Sequence, residues 1–503
     1  MIQYIIYSKE EVNIMLKEYK FQKVELVPDI EECLENAKFE LSQKQMLLKD
    51  KKIPVVVLFE GWGASGIGTT LSKVIQNMDP RFYNVVKMGK ISEDDARKPF
   101  LYRHFYEIPE NGKVTFYDHG WMDEATGQYL RHEISKKEYK QKIESIQKFE
   151  RTLVDNGYIV IKFFFHLSKK EQEKRIKKLL SHKNTAWRVS ENDMWQNNHY
   201  EKCIDVYEKY ISETNPAYAP WYIIDATNKK IEQLQVLETL MAYLDIRLRK
   251  GKQDAPLIKN VFALNERIDL NQIDLSKTIS EESYRLELKK CRKKLKELHN
   301  ILYRKKIPVI IAYEGWDAAG KGGNIKRVTS GLDPRGFTVY PIAAPDKGEL
   351  NRHYLWRFYK RLPKDGHIAI FDRTWYGRVM VERLEGLCSE NDWQRAYNEM
   401  NEFEYELHQW GAIVIKFWVH IDNQTQLDRF TERQNTPEKQ WKITDEDWRN
   451  REKWDQYEEA ISEMLEKTNT DFAPWYVLES VDKKYARIKA MKILISEIEK
   501  RLQ

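Results

Sequence analysis

Short apolar runs alternate with charged, helix-patterned stretches along the chain. Residues 308–313, 337–340, 367–371 and 413–419 are such runs. Runs of this length without polar alternation predict strands buried on both faces, as in a parallel sheet. Charged stretches at 30–49 and 283–304 carry apolar residues three or four apart, for example Leu295, Leu298 and Leu302. That spacing predicts helices packed by one stripe on a sheet. A further helix, rich in Arg352, Arg357, Lys360 and Arg361, is expected after the run at 337–340. Strands alternating with helices define an α/β, doubly wound parallel sheet, in which ligands gather beyond the C-terminal strand ends.

The whole pattern occurs twice. Glu60-Gly61-Trp62 matches Glu314-Gly315-Trp316, and Ala219-Pro220-Trp221-Tyr222 matches Ala473-Pro474-Trp475-Tyr476, both at an offset of 254. Units this long are whole domains rather than solenoid repeats. The expected division is a first domain at 1–248, a polar linker at 249–257 and a second domain at 258–503.

The chemistry concentrates where the run at 308–313 meets its helix. Gly315 to Gly322 fits G-x-x-x-x-G-K, the phosphate-cradling loop, up to its last position. Gly315, Ala318, Ala319, Gly320, Gly322 and Gly323 are the expected phosphate- and nucleotide-binding backbone, and Lys321 adds a positive charge. Gly322 stands where such loops carry a metal-binding Ser or Thr, so Asp317 is the expected replacement ligand. Phe371 to Arg378, FDRTWYGR, ends a strand in Asp372, a second candidate metal ligand, with Arg373 and Arg378 as phosphate-matching cations. The stretch 426–453 reads as a mobile helical lid, with Arg433, Lys439 and Lys442 as its candidate phosphate contacts.

Composition adds exclusions. Lys+Arg 84 against Asp+Glu 78 leaves +6 over 503 residues, so bulk charge does not argue for nucleic acid. No apolar stretch is long enough to span a bilayer, the first residues lack a signal-peptide pattern, and the four cysteines are scattered. A reducing, cytoplasmic setting with no membrane partner is expected.

EGWDAAGKGG, DRTWYGR, TERQNTPEKQWK and APWY together resemble the polyphosphate kinase 2 family, and the tandem arrangement is similar to its polyphosphate:AMP phosphotransferase branch. The resemblance implies a thymidylate-kinase-like P-loop core with a helical lid. It also implies Mg²⁺- or Mn²⁺-dependent phosphoryl transfer from inorganic polyphosphate to AMP, giving ADP. Asp317, Lys321, Asp372-Arg373 and Arg433 take the family's site positions, and Glu382 and Arg383 also match its pattern. The basic helix at Arg352 to Arg361 would follow the polyphosphate chain. ADP as acceptor, an ATP-dependent small-molecule kinase and a non-catalytic nucleotide- or polyphosphate-binding regulator stay open, as does homo-oligomer assembly. The first copy departs at the chemistry. Gly63, Ile67, His119, Glu124 and Leu179 replace Asp317, Lys321, Arg373, Arg378 and Arg433, so that copy is expected to fold without catalysing.

Overall fold

Among the described residues, ten strands form two five-stranded sheets, all parallel. In the first half these are β1 (Val55–Gly61), β2 (Tyr83–Lys87), β3 (Val114–Asp118), β4 (Ile159–His166) and β5 (Trp221–Asp225), in the order β2-β3-β1-β4-β5. In the second they are β6 (Val309–Gly315), β7 (Phe337–Pro341), β8 (Ile368–Asp372), β9 (Ile413–His420) and β10 (Trp475–Glu479), in the order β7-β8-β6-β9-β10. Each strand of the second sheet starts 254 residues after its counterpart, as Val309 follows Val55. The computed structural model describes residues 16–21, 29–251 and 254–503, apart from the side chains of Lys439, Lys442 and Glu446. The expectation about the first residues lies outside the described residues.

The chain divides into two units, one of Met1–Ile91 with Arg103–Asp254, the other of Ser92–Tyr102 with Ala255–Gln503. Arg249 and Lys250, expected in the linker, are instead the last turn of the helix Lys229–Lys250. Basic residues suit a helix C-terminus, and Gly251 at φ 65 ends the helix there.

Central strands are buried on both faces. Every residue of β9, and all of β6 before Gly315, is buried. The helix Glu281–Lys305 buries Leu295, Leu298 and Leu302 and packs beside the C-terminal helix Lys483–Leu502. Helix Ile30–Asp50 packs beside Lys229–Lys250 in the same way. The expected basic helix is not continuous. It is two short turns, Lys347–Leu350 and Trp356–Tyr359. Asp346 caps the first through a capping box with Glu349, and the buried Glu349 carboxylate then gathers the later cations.

Both units carry the same buried ion pair. Lys416 Nζ lies 2.7 Å from Glu404 Oε2 and donates to the Thr468 carbonyl and the Tyr376 hydroxyl. Glu404 Oε1 accepts from Trp375 Nε1 and Tyr376 OH. Lys162, Glu150, Trp121 and Thr214 repeat the arrangement in the first unit. Persistence in the copy that lost its cations marks the pair as part of the fold.

Another core pair differs between copies. Asn324 donates to the Ala486 carbonyl at 3.1 Å, whereas its counterpart Thr70 donates to the carboxylate of Glu232. Burial pushes the Glu232 carboxyl up to about 7. A carboxyl raised in the fold favours the folded state fully below its unfolded value near 4.5, and that contribution is lost as pH rises through about 7. The first unit should therefore lose about 3 kcal/mol between pH 4.5 and 8 from this group. Glu232→Gln should raise the unfolding midpoint at pH 8 and leave it nearly unchanged at pH 5. Thermal unfolding at both pH values checks this, and an equal shift at both would contradict it.

Candidate active site

β6 delivers Glu314 and Gly315 to the C-terminal edge of its sheet, and a tight loop returns into the helix Lys321–Thr329. Gly315 at φ 151 lies so close to β9 that a Cβ would sit 2.4 Å from the Val419 carbonyl oxygen. Gly320 at φ 110 caps the helix, a conformation that costs glycine least. The loop's outward carbonyls are satisfied by other elements. Arg429 donates to the carbonyls of Ala318 and Ala319, and Ser480 Oγ also donates to Ala319. Lys321 Nζ folds back over the loop and donates to the Gly315 carbonyl at 2.6 Å. An arriving phosphate can take over that ammonium.

β8, hydrogen-bonded beside β6, aligns Asp372 with Tyr313 at the same edge. Arg373 follows at φ 67, a strained conformation for a side-chain-bearing residue. Glu314 fixes this turn by accepting from the Thr374 amide at 2.7 Å and its hydroxyl at 2.8 Å. Burial pushes the Glu314 carboxyl up, while Lys321 and the Thr374 bonds oppose it. The Arg373 guanidinium then lies 3.5 Å from Asp317 Oδ1. The edge thus brings Asp317, Lys321, Asp372 and Arg373 together.

The lid starts on the helix Asn423–Asn435 and returns through Asp445–Glu452 to Trp454–Thr468. Its first leg touches the loop through Gln426 Nε2, which donates to the Asp317 carbonyl. The returning leg touches it through Asn450 Nδ2, 3.2 Å from Asp317 Oδ2. Trp454 stacks on Trp316 at 3.7 Å. Arg433 is half-buried in the last turn of the first leg and adds to the cationic field of Arg429 and Lys483. The Lys439 and Lys442 side chains lie outside the described residues.

The remaining sequence candidates fall into two groups. Arg378 meets Glu382 at 2.5 Å and lies over the Tyr354 ring. Burial works against its charge, but Glu382 outweighs that and holds its pKa above the usual arginine value. Arg383 instead ties to Glu463 at 2.5 Å and covers Trp393, joining helices. Arg357, Lys360 and Arg361 lie 3.2, 3.8 and 2.9 Å from Glu349, and Arg352 lies over Trp356. Three cations share one carboxylate there, so the cluster keeps a positive surplus.

Sequence reasoning missed Glu314, Asn450, Lys483 and Arg487. The last two lie on the C-terminal helix beside Gly320 and Gly323. Lys483, at a helix start after Asp482, carried no signal that it would reach a loop far earlier in the chain.

The first unit keeps the loop backbone, with Gly61 at φ 150, Ala64 at φ 60 and Gly66 at φ 107. Its interior differs. A Cβ on Gly63 would lie 2.1 Å from Asp193 Oδ1, and the Gly63 amide donates to Gln196 at 2.7 Å. The lid-return helix Glu191–Asn198 thus occupies the space that the Asp317 side chain takes in the second unit. His119 sits in the left-handed turn of Arg373. Burial alone would push its imidazole down, but Glu60 and its acidic neighbours raise it to about 9.

A phosphate loop with Lys321 and Asp317, a strand-end Asp372, clustered arginines and a lid define a P-loop phosphotransferase. The chain matches the family profile described as Polyphosphate kinase 2 (PPK2) at residues 28–252 and 278–503. It is 37% identical to a polyphosphate:AMP phosphotransferase of Pseudomonas aeruginosa over 98% of this chain and 99% of that one. A polyphosphate:AMP phosphotransferase of Pseudomonas syringae is 36% identical over 94% and 95%. A solved structure from Pseudomonas aeruginosa, described as a polyphosphate kinase 2, superposes with a TM-score of 0.83 at 34% identity, covering 96% and 98%. The chain belongs to the polyphosphate kinase 2 family, with two tandem copies of its domain.

Proposed function

We propose that this protein transfers the terminal phosphoryl group of inorganic polyphosphate to AMP, giving ADP, and that the second copy performs the chemistry. The observation that carries this is the intact edge of Asp317, Lys321, Asp372 and Arg373, in a chain resembling tandem polyphosphate:AMP phosphotransferases over nearly its whole length. Both substrates are anionic, and a phosphate acceptor needs no strong general base. The work of the site is to neutralise repulsion and hold donor and acceptor in line. Lys321 exchanges its loop carbonyls for phosphate oxygens, and the loop amides hold the same group. Arg373 and Arg433 balance charge on the transferring phosphoryl group, and Arg378, fixed by Glu382, does so on the acceptor. Lid closure excludes water, the competing acceptor.

Two carboxylates and few other donors suit Mg²⁺, which keeps waters and substrate phosphates in its shell. No cluster of three or more metal-binding side chains occurs among the described residues. Asp317 and Asp372 would hold the cation, which supplies charge neutralisation when bound. Asn450 fixes one oxygen of Asp317, so Asn450→Ala should raise the Mg²⁺ concentration for half-maximal turnover by roughly tenfold. A Mg²⁺ titration of both proteins checks this, and identical midpoints would refute it.

No helix among the described residues is long and apolar enough to cross a membrane. The first copy is proposed not to catalyse, because it lacks the loop lysine and its lid helix fills the position of the aspartate. Offering AMP, ADP, GMP and GDP separately with polyphosphate and Mg²⁺ tests the reaction. ADP formed from AMP supports it. Product from ATP but not from polyphosphate as donor would overturn it.

A further inference from the structure

The two lids differ in charge. Residues 169–188 of the first unit contain eight cationic side chains and two carboxylates, a surplus of six. The corresponding residues 423–442 contain four and three, a surplus of one. The surplus of this one segment equals the net +6 of the whole chain. The copy that lost its loop lysine and site arginines has therefore gained a basic lid.

The helix Lys169–Leu180 presents these charges to solvent. Lys169, Lys170, Lys174, Lys177 and Lys178 are exposed, and Lys183 continues the patch just beyond. Lys170, Lys174, Lys177 and Lys178 share one helical face by their spacing. Glu171 and Glu173 engage Lys174 and Lys177, while Lys169, Lys170, Lys178 and Lys183 form no ion pair among the described residues. Like charges four apart destabilise a helix, so the fold carries this surplus at a cost. Arg175 has a different task. It donates to the carbonyls of Ser65, Ala226 and Thr227, as Arg429 does for the catalytic loop.

We propose that this face of the first unit is a docking surface for the polyphosphate chain, separate from the phosphoryl-transfer site. The inference rests on polyphosphate being the donor. Long-chain polyphosphate carries regularly spaced negative charge, and clustered lysines bind such a polymer chiefly by releasing its counterions. Such binding is sequence-independent and salt-sensitive, and mobile lysine side chains suffice for it. A chain held on the first unit raises the local concentration of phosphoryl donor for the second, because both belong to one polypeptide. Short donors profit little, since they carry too few phosphates to bind the lysine face by counterion release.

The test uses the full chain with Lys169, Lys170, Lys178 and Lys183 changed together to Gln, which keeps helix propensity and leaves the observed ion pairs intact. Turnover at saturating donor and the KM for AMP should stay unchanged. The KM for long-chain polyphosphate should rise by about tenfold and lose much of its salt dependence, while the KM for tripolyphosphate should not move. An unchanged KM for the long chain, or equal rises for both donors, would overturn the docking surface. So would an RNA of similar charge that displaces labelled polyphosphate from the unaltered protein more readily than free polyphosphate does. No turnover by the unaltered protein would overturn the reaction and this surface together. Full turnover with no change in the variant would overturn the surface alone.

Discussion

Lys321→Ala should lower turnover with polyphosphate and AMP by about three orders of magnitude while leaving the protein folded. The ammonium is the loop's one cation; among the described residues it donates to the loop carbonyls of Gly315 and Trp316, and its charge also acts on the buried Glu314 carboxylate. Removing it leaves two part-buried loop carbonyls without that donor, a structural cost well short of unfolding the domain. In the transition state the loss is large, because the loop then meets charge developing on the transferring group with backbone amides and no cation of its own. Lys321→Arg should recover little of it, since the planar guanidinium does not fit a loop closed around a point charge. Initial rates, with unfolding midpoints measured beside them, separate this from misfolding. A decrease of less than tenfold would mean that Lys321 does not touch the transferring phosphate.

The second large effect concerns stability. Glu404→Ala should destabilise the second unit by about 3–5 kcal/mol, because it leaves the Lys416 ammonium buried without its counter-charge. Trp375 Nε1 and Tyr376 OH lose their shared acceptor in the same step, and both belong to the segment that carries Arg373 and Arg378. Changing both partners, Glu404→Leu with Lys416→Met, should recover part of the loss, since no buried charge remains although Trp375 and Tyr376 still lack their acceptor. Denaturant unfolding of the single and double variants checks the pair. A double variant as unstable as Glu404→Ala would show that packing, rather than charge, dominates there.

Central strands were legible because burial on both faces leaves an apolar run such as 308–313 or 413–419. The repeat was legible because the loops between strands kept their lengths as well as their motifs. The loop and strand-end candidates followed from local spacing, and Asp317, Lys321, Asp372 and Arg373 do converge. Contacts set by tertiary structure were not legible. The cations at Arg357, Lys360 and Arg361 read as a helix because nothing local shows that Glu349 will be buried among them. Arg429 shares the helix of Arg433 and the same spacing, yet it braces the loop from outside. Asn450 is an ordinary polar residue until the lid's return brings it to Asp317.

Of two sheets with the same strand order, one is expected to carry the chemistry, at Asp372 rather than at its counterpart Asp118. The direct measurement is ADP formation from AMP and polyphosphate by Asp372→Asn and by Asp118→Asn, each in the full chain. Turnover lost in Asp372→Asn and kept in Asp118→Asn is the result expected. Turnover kept in Asp372→Asn, or lost in a folded Asp118→Asn, would contradict it.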